Sequence, residues 1–545
     1  MRFFKKNKLL LSIIFFGFLL RGFGVNNSPP SLYWDEVSLG YNSFAISQTA
    51  HDEHGKFLPI DAFTAFGDYK PPLYIYLTVP FVKLFGLNYL NVRTVSIISG
   101  TFLIIIAYLI AKEIFPKNKK YKYAAGILVC ISPWSIQMSR AAFEANLATT
   151  LSAAATLFFI KAKNNPKLYL VSSLFFVLAM YTFNGTRYFL PVWILTLFLW
   201  RLSARRLNKT EIKSILVSVV FSFVLILPLI QFGLTGPGRL RFDEVNIFSD
   251  PEPVIKSNRL QQENGNSLIS KIIFNRRIFH AQNFIGHYLD HYSPKYLFMT
   301  GDVNPRFSSQ STGQLYIVEA LLIPLGFLYL FKKNKKYFYL MLLWITLAPI
   351  PASIARETPH ALRTLHILPS LMLVSAAGII FIIESIKGKT LRIGALAVII
   401  LSFLIQSFYF SYNYLFLYPE KFGAEWQDGY KQLAQSLKTI QNQYPKILVT
   451  DYYGRAYINL LYYWKYDPEK YLNSRDAFSE ASGLWTVKGF DNLNFKQSVT
   501  CADSASADLL IGLPADFENI SEKQVVRNSS NKAKFVMIKS NDCKK

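Results

Sequence analysis

Trp34-Asp35-Glu36 and, further on, Gly67-Asp68-Tyr69-Lys70-Pro71-Pro72 bracket the first long polar segment of the chain. The acidic pair follows directly on an apolar run, Leu9 to Val25, and Lys70 with Asp68 opens a second apolar stretch, Pro71 to Gly86. Two carboxylates beside an ammonium, held at the edge of apolar segments, can take a proton and hold a phosphate. A chain that merely anchors itself in lipid has no use for them there. Adjacent helical residues point about 100° apart, so one of Asp35 and Glu36 can face a cavity while the other binds structurally. A helix cap beginning near Val37 would also account for the pair.

Outward from this stretch the chain reads as a polytopic membrane protein. Of its 545 residues 51% are hydrophobic, 16% aromatic and 17% charged, against about 25% charged in soluble domains. The net charge of +25 falls in short runs between apolar spans, which marks topology and excludes a nucleic-acid footprint. Segments of bilayer length, about 17 to 25 residues, are expected near 9–25, 90–112, 123–139, 142–161, 168–183, 188–203, 214–232, 315–331, 337–353, 364–386 and 391–412, about eleven spans in all. The first has a basic start and no small-x-small cleavage site, so it is expected to be retained as an anchor. The basic connectors Lys5–Lys8, Lys117–Lys120, Lys161–Lys167, Arg201–Lys213, Lys332–Lys336 and Lys387–Arg392 occupy alternate turns. The positive-inside rule then places them and the amino terminus in the cytoplasm of a cell-membrane protein.

Residues 1–413 thus form a transmembrane domain with outer loops at 26–89 and 233–314, and residues 414–545 a soluble domain outside. Pro71 to Gly86 is expected as an interfacial helix, and Gly236-Pro237-Gly238 as a helix break. In the terminal segment Lys446–Asp451, Ala507–Gly512 and Lys534–Lys539 read as strands, with a helix ending near Trp464, giving a small α/β module. Cys501 and Cys543 both lie there and could pair; Cys130 sits in an apolar span.

Other outward turns hold further polar residues. Arg140 and Glu144 share a helix face, as an ion pair or as site residues. Arg187 follows Asn184-Gly-Thr in the next such turn. His287, Asp290, His291, Asp302 and Arg306 lie in the second loop, and Arg356, His360 and Arg363 in a later one. Arginines are scarce on this face and suit an anionic phosphate, although Glu357 offers an ordinary partner. His51-Asp52-Glu53-His54 matches no usual metal spacing and is expected as a solvated turn.

Trp34-Asp35-Glu36 with Gly40-Tyr41-Asn42, Gly67-Asp68-Tyr69-Lys70-Pro71-Pro72-Leu73-Tyr74, Ser132-Pro133-Trp134 and Ser139-Arg140-Ala-Ala-Phe143-Glu144-Ala-Asn146 together resemble the GT-C superfamily of membrane glycosyltransferases. Within it they are similar to bacterial relatives of the protein O-mannosyltransferases and lipid A aminoarabinose transferases, over residues 1 to about 415 in layout. The resemblance implies a polyprenyl-phosphate-linked sugar donor, a hydroxyl acceptor on a glycolipid, glycan or protein, and inverting transfer on the outer face. It assigns the base to Asp35, a donor-phosphate ligand to Lys70 and a supporting acid to Glu144, where some relatives have Asp. Glu36 joins the catalytic candidates; Asp68, Arg140, Arg187, His287, Asp302, Arg306, Arg356 and Arg363 join the donor and substrate contacts. No cofactor is required, and a divalent metal is compatible. An oligosaccharide ligase or polymerase, or a lipid or solute transporter, remains the alternative. Transporters favour paired repeats and charges at the bilayer midplane, and this chain carries its charges at one surface.

Overall fold

Runs of Leu, Ile and Phe give the first four hundred or so residues their helices; prolines break the ladder at Ser132-Pro133 and Pro349, while Pro80, Pro191, Pro228 and Pro324 sit inside continuous helices. The computed structural model describes residues 7–203, 206–235, 238, 246–479 and 485–544. Lys5 and Lys6 of the first basic run, Arg205 of another connector, and Gly236-Pro237 lie outside the described residues. Four described helices are long and apolar enough to cross a membrane: Tyr89–Ile114, Lys209–Leu234, Leu365–Ser385 and the continuous Lys389–Trp426. The first and third are 67% and 78% buried over their most apolar windows, whereas the other two are only 11% and 17% buried. The latter pair turn an apolar flank outward, as a lipid-facing helix does.

Of the eleven expected spans, these four stand out by length and composition. Each expected segment coincides with helix, but several are short, such as Lys8–Gly22, Leu168–Met180 and Glu319–Lys333. Others are broken: Lys119–Ile131 and Pro133–Arg140 part at Ser132-Pro133, and Lys335–Leu347 and Ile350–Ser353 part at Pro349. A proline lacks the N–H that would continue the ladder, so length and composition alone carry four crossings. Glu319–Lys333 and Leu368–Ser385 cross closely at Gly326 and Gly378, where any side chain would strike the facing backbone.

In the first loop, β1 (Phe63–Ala65) and β2 (Asp68–Lys70) form a two-stranded antiparallel hairpin around Gly67, whose φ of +63° suits glycine. Pro71 and Pro72 end the strand and start the expected helix, Pro72–Phe85.

The terminal domain carries a seven-stranded mixed sheet. Its strands are β3 (Ile447–Thr450), β4 (Arg475–Ser479), β5 (Trp485–Phe490), β6 (Leu493–Lys496), β7 (Leu509–Gly512), β8 (Gln524–Arg527) and β9 (Ala533–Lys539), ordered β4-β5-β6-β3-β7-β9-β8. β3 runs parallel to both β6 and β7, and the remaining pairs are antiparallel. The expected strands became β3, β7 and β9, and the expected helix is Ala456–Trp464. β4, β5, β6 and β8 were missed, because each is short or mixes polar with apolar residues. Cys501 and Cys543 are disulfide-bonded. Ala456–Trp464 packs on Trp34–Thr49, where Gly40 meets the Tyr462 ring and Tyr41 donates its hydroxyl to the Tyr466 carbonyl at 3.2 Å. Tyr89 and Tyr463 share a hydroxyl contact of 2.8 Å, and Trp426 meets Tyr33 edge-on at 5.6 Å. The sheet domain is thereby seated directly on the first loop.

Candidate active site

Asp68 and Lys70 sit two apart on β2, so the pleat turns both to one face. Across from them, Asp35 projects from the first turn of Trp34–Thr49. The Lys70 Nζ lies 2.6 Å from Asp35 Oδ1 and 3.0 Å from Asp68 Oδ2. Burial alone would lower the affinity of Lys70 for its proton; the charges of Asp35, Asp68 and Glu144 more than offset this and hold the ammonium above its ordinary pKa. The three charges face a cavity of about 900 Å³, within the range of small-molecule sites. Glu144, on the first turn of Glu144–Lys161, lines it too.

Arginines form the rest of the charged wall. Arg306 spreads over the rings of Trp34 at 5.1 Å and Tyr33 at 5.3 Å, a cation–π arrangement. Arg187 donates through Nε to the Met180 carbonyl at 3.1 Å, and its buried Nη2 has no hydrogen-bond partner. Arg363 and His360 also line the cavity. His360 stacks on Phe307 at 4.8 Å and donates its backbone N–H to His291 Nε2 at 3.1 Å. Burial first, then the nearby Arg363, keeps its imidazole neutral, well below the ordinary histidine pKa.

Five expected site residues stand elsewhere. Glu36 is fully buried, its two carboxylate oxygens each 2.8 Å from Arg93 and one of them also accepting the Ala142 N–H at 2.7 Å. The 100° step between neighbours turns Asp35 to the cavity and Glu36 into the core. Arg140 is 1% exposed and donates to the carbonyls of Phe23, Leu20 and Ser28 at 2.7 to 3.1 Å, tying the end of the first helix to the next turn; it does not pair with Glu144. Asp302 accepts the backbone N–H groups of Ala361 and Asn304 at 2.6 and 2.8 Å. Burial pushes its carboxyl up to about 6, and its work is to join the second loop to the 356–363 turn. His287 and Arg356 contact the carbonyls of Ala355 and Asn246 at 3.0 and 3.3 Å and line no part of the cavity. The 51–54 stretch is corrected as well: Asp52 and Glu53 are fully buried rather than solvated, and His54 stacks on Trp485 at 4.7 Å. No group of three or more metal-type side chains gathers there or elsewhere among the described residues.

One wall was missed from sequence. Asp451, Tyr452, Tyr453, Gly454 and Arg455, with Gln497, line the cavity from the terminal domain. They follow β3 and β6 at their carboxyl ends, on the side where open α/β sheets bind ligands and where β3 separates two parallel neighbours. Gly454 and Arg455 both take left-handed conformations, φ +79° and +62°. Gln427 donates to the Tyr453 and Gly454 carbonyls at 3.0 and 2.8 Å, fixing the loop. Arg455 stacks over Phe66 at 4.8 Å. The strand ahead of this loop was legible, so its carboxyl end was the available signal.

Known proteins share the fold. A family profile described as dolichyl-phosphate-mannose-protein mannosyltransferase matches residues 69–232, the segment from β2 to the end of Lys209–Leu234. The fold is similar to that of ArnT from Cupriavidus metallidurans bound to undecaprenyl phosphate, with TM-score 0.53, 11% identity and 98% of each chain covered. It is also similar to the oligosaccharyltransferase AglB from Archaeoglobus fulgidus in complex with an inhibitory peptide and a dolichol-phosphate, with TM-score 0.50 and 13% identity over 84% of this chain and 64% of that one. No curated protein sequence matches the chain. The resemblance to GT-C membrane glycosyltransferases therefore holds in the overall fold and in the sequence of the segment that carries Lys70 and Glu144.

Proposed function

We propose that this chain is a membrane glycosyltransferase that moves a sugar from a polyprenyl-phosphate donor to an acceptor hydroxyl on the outer face of the cell membrane. The observation that carries this reading is the Asp35–Lys70–Asp68 ion triad opening on a cavity rimmed by arginines. The undecaprenyl and dolichol phosphates held by ArnT and AglB support a lipid-phosphate donor, and the alternate basic turns support an amino terminus inside and the terminal domain outside.

In this mechanism the donor phosphate competes for Lys70, with Arg306, Arg187 and Arg363 as further cations. Asp35 is thereby freed to accept the proton of the acceptor hydroxyl. The acceptor oxygen bonds to the anomeric carbon as the bond from that carbon to the phosphate oxygen breaks, inverting the centre and releasing polyprenyl phosphate. Asp68 keeps Lys70 in place while Asp35 is engaged, and the cations stabilise the charge developing on the phosphate. A divalent ion is compatible with these carboxylates, but no step uses one.

The test is transfer in membranes from radiolabelled polyprenyl-phosphate hexoses and pentoses, wild type against Asp35→Asn, with and without EDTA. The base is expected to contribute about 10²–10⁴-fold. Full activity in a folded Asp35→Asn protein would overturn its role. Release of lipid diphosphate from an oligosaccharide donor instead would indicate the ligase.

A further inference from the structure

The second loop carries an apolar surface that no part of the described protein covers. Three helices, Glu252–Glu263, Leu268–Ile273 and Arg276–Asp290, form a small arm, closed where Ser257 and Gln261 donate to the Phe274 carbonyl. Leu268, Ile269, Ile272 and Ile273 at its tip are 78, 68, 62 and 54% exposed. Ile285 and Leu289, one turn apart further along the third helix, are also exposed, at 55 and 58%. In water, so many contiguous large aliphatics mark an interaction surface.

Two further observations identify the occupant. The end of the third helix is pinned at a fixed level: Tyr288 donates to the Thr346 carbonyl at 2.9 Å, and Tyr292, just beyond the helix, to the Ile345 carbonyl at 2.8 Å. These carbonyls lie at the carboxyl end of Lys335–Leu347, which is its outer end in the membrane orientation proposed above. Between Glu263 and Asp290 the chain has no acidic residue, while Lys271, Arg276 and Arg277 stand beside the apolar tip. Aliphatics flanked by Lys and Arg, set at the level of a helix end, fit a leaflet with anionic headgroups.

We infer that residues 264–289 lie in the outer leaflet as an interfacial arm, with the tip aliphatics among the upper acyl chains and the three cations at the headgroup phosphates. This rests on the membrane orientation proposed above. Because Asn246 and Ala355, which bracket the base of the arm, also line the cavity, the arm places the lipid surface beside the site that receives a lipid-borne donor.

Spin labelling of the full chain tests it directly. Cys130 is buried and Cys501 and Cys543 are bonded to each other, so a nitroxide reagent reacts at an introduced cysteine. Ile272→Cys, Phe223→Cys on the exposed flank of Lys209–Leu234, and Lys532→Cys in the terminal domain would each be labelled. The protein is reconstituted in vesicles of phosphatidylcholine and phosphatidylglycerol, and relaxation by oxygen is compared with relaxation by a water-soluble nickel chelate. At Ile272 the oxygen-to-chelate ratio is expected to be several-fold above that at Lys532 and to approach that at Phe223. Substituting Lys271, Arg276 and Arg277 by Gln is expected to lower it in these vesicles and to leave it unchanged in pure phosphatidylcholine. A ratio at Ile272 equal to that at Lys532, with Phe223 still shielded, would overturn the arm and leave the membrane reading standing. Chelate access at Phe223 as well would overturn both.

Discussion

Asp35 and Glu36 are neighbours in sequence, and each binds one cation. Asp35 shares Lys70 with Asp68, its side chain 23% exposed and open to the cavity. Glu36 holds Arg93 with both side chains at 0% exposure, sealed beneath Tyr89 and Trp426. The chemistry of the two carboxylates is alike, and the surroundings make one available to substrate and the other part of the architecture. An ion pair at a cavity rim can be opened by an incoming phosphate, since water and substrate replace whatever partner is lost. A sealed pair has no replacement, because removing either member strands a charge in the core.

The contrast can be broken most severely at these two positions. Asp35→Asn should abolish most transfer and leave thermal unfolding near that of wild type. Glu36→Ala should cost about 3–5 kcal/mol of stability, seen as loss of folded protein on size-exclusion chromatography. Replacing Glu36 and Arg93 together by Met should recover much of that stability, because no charge is stranded. If Glu36→Ala folded normally and lost only activity, the division between the two carboxylates would fail.

A milder effect is expected at the wall supplied by the terminal domain. Arg455 faces the cavity and is braced by the Phe66 ring and the charge of Asp451, so Arg455→Ala should reduce transfer roughly tenfold, the worth of about one charged hydrogen bond. Unfolding should be unchanged. An Arg455→Ala enzyme with wild-type kinetics at low concentrations of both substrates would confine the chemistry to the membrane half.

The smallest effect concerns pH and sharpens the distinction between site and scaffold. The folded protein raises Asp302 from an ordinary 3.8 to about 6, so it binds more protons there than the unfolded chain. The associated stability is complete below about 3.8 and is lost as pH rises through about 6. Asp302→Asn keeps an acceptor for the Ala361 N–H and should flatten the decline in melting temperature over that window. An unaltered pH slope would assign the decline to other groups.

Much of this was legible in the chain itself. Apolar runs, basic turns and prolines located the helices, since these depend on local composition and on backbone chemistry. The pairing of Asp68 with Lys70 was implicit in their spacing on one short segment, and β3, β7 and β9 were visible as buried apolar runs. What the sequence could not determine was rotation and convergence. Whether Asp35 or Glu36 meets the cavity depends on how the helix is turned, and that is set by Arg93 and the Ala142 N–H, far along the chain. Arg306 reaches Trp34, and Arg455 reaches Phe66, across hundreds of residues of chain. Arg140 and Glu144, four residues apart and expected on one helix face, were separated because the helix breaks at residues 141–143 and nearby carbonyls claim the guanidinium. Such choices are made by packing among distant segments, where burial and the satisfaction of polar groups outweigh local preference, and so they belong to the tertiary structure alone.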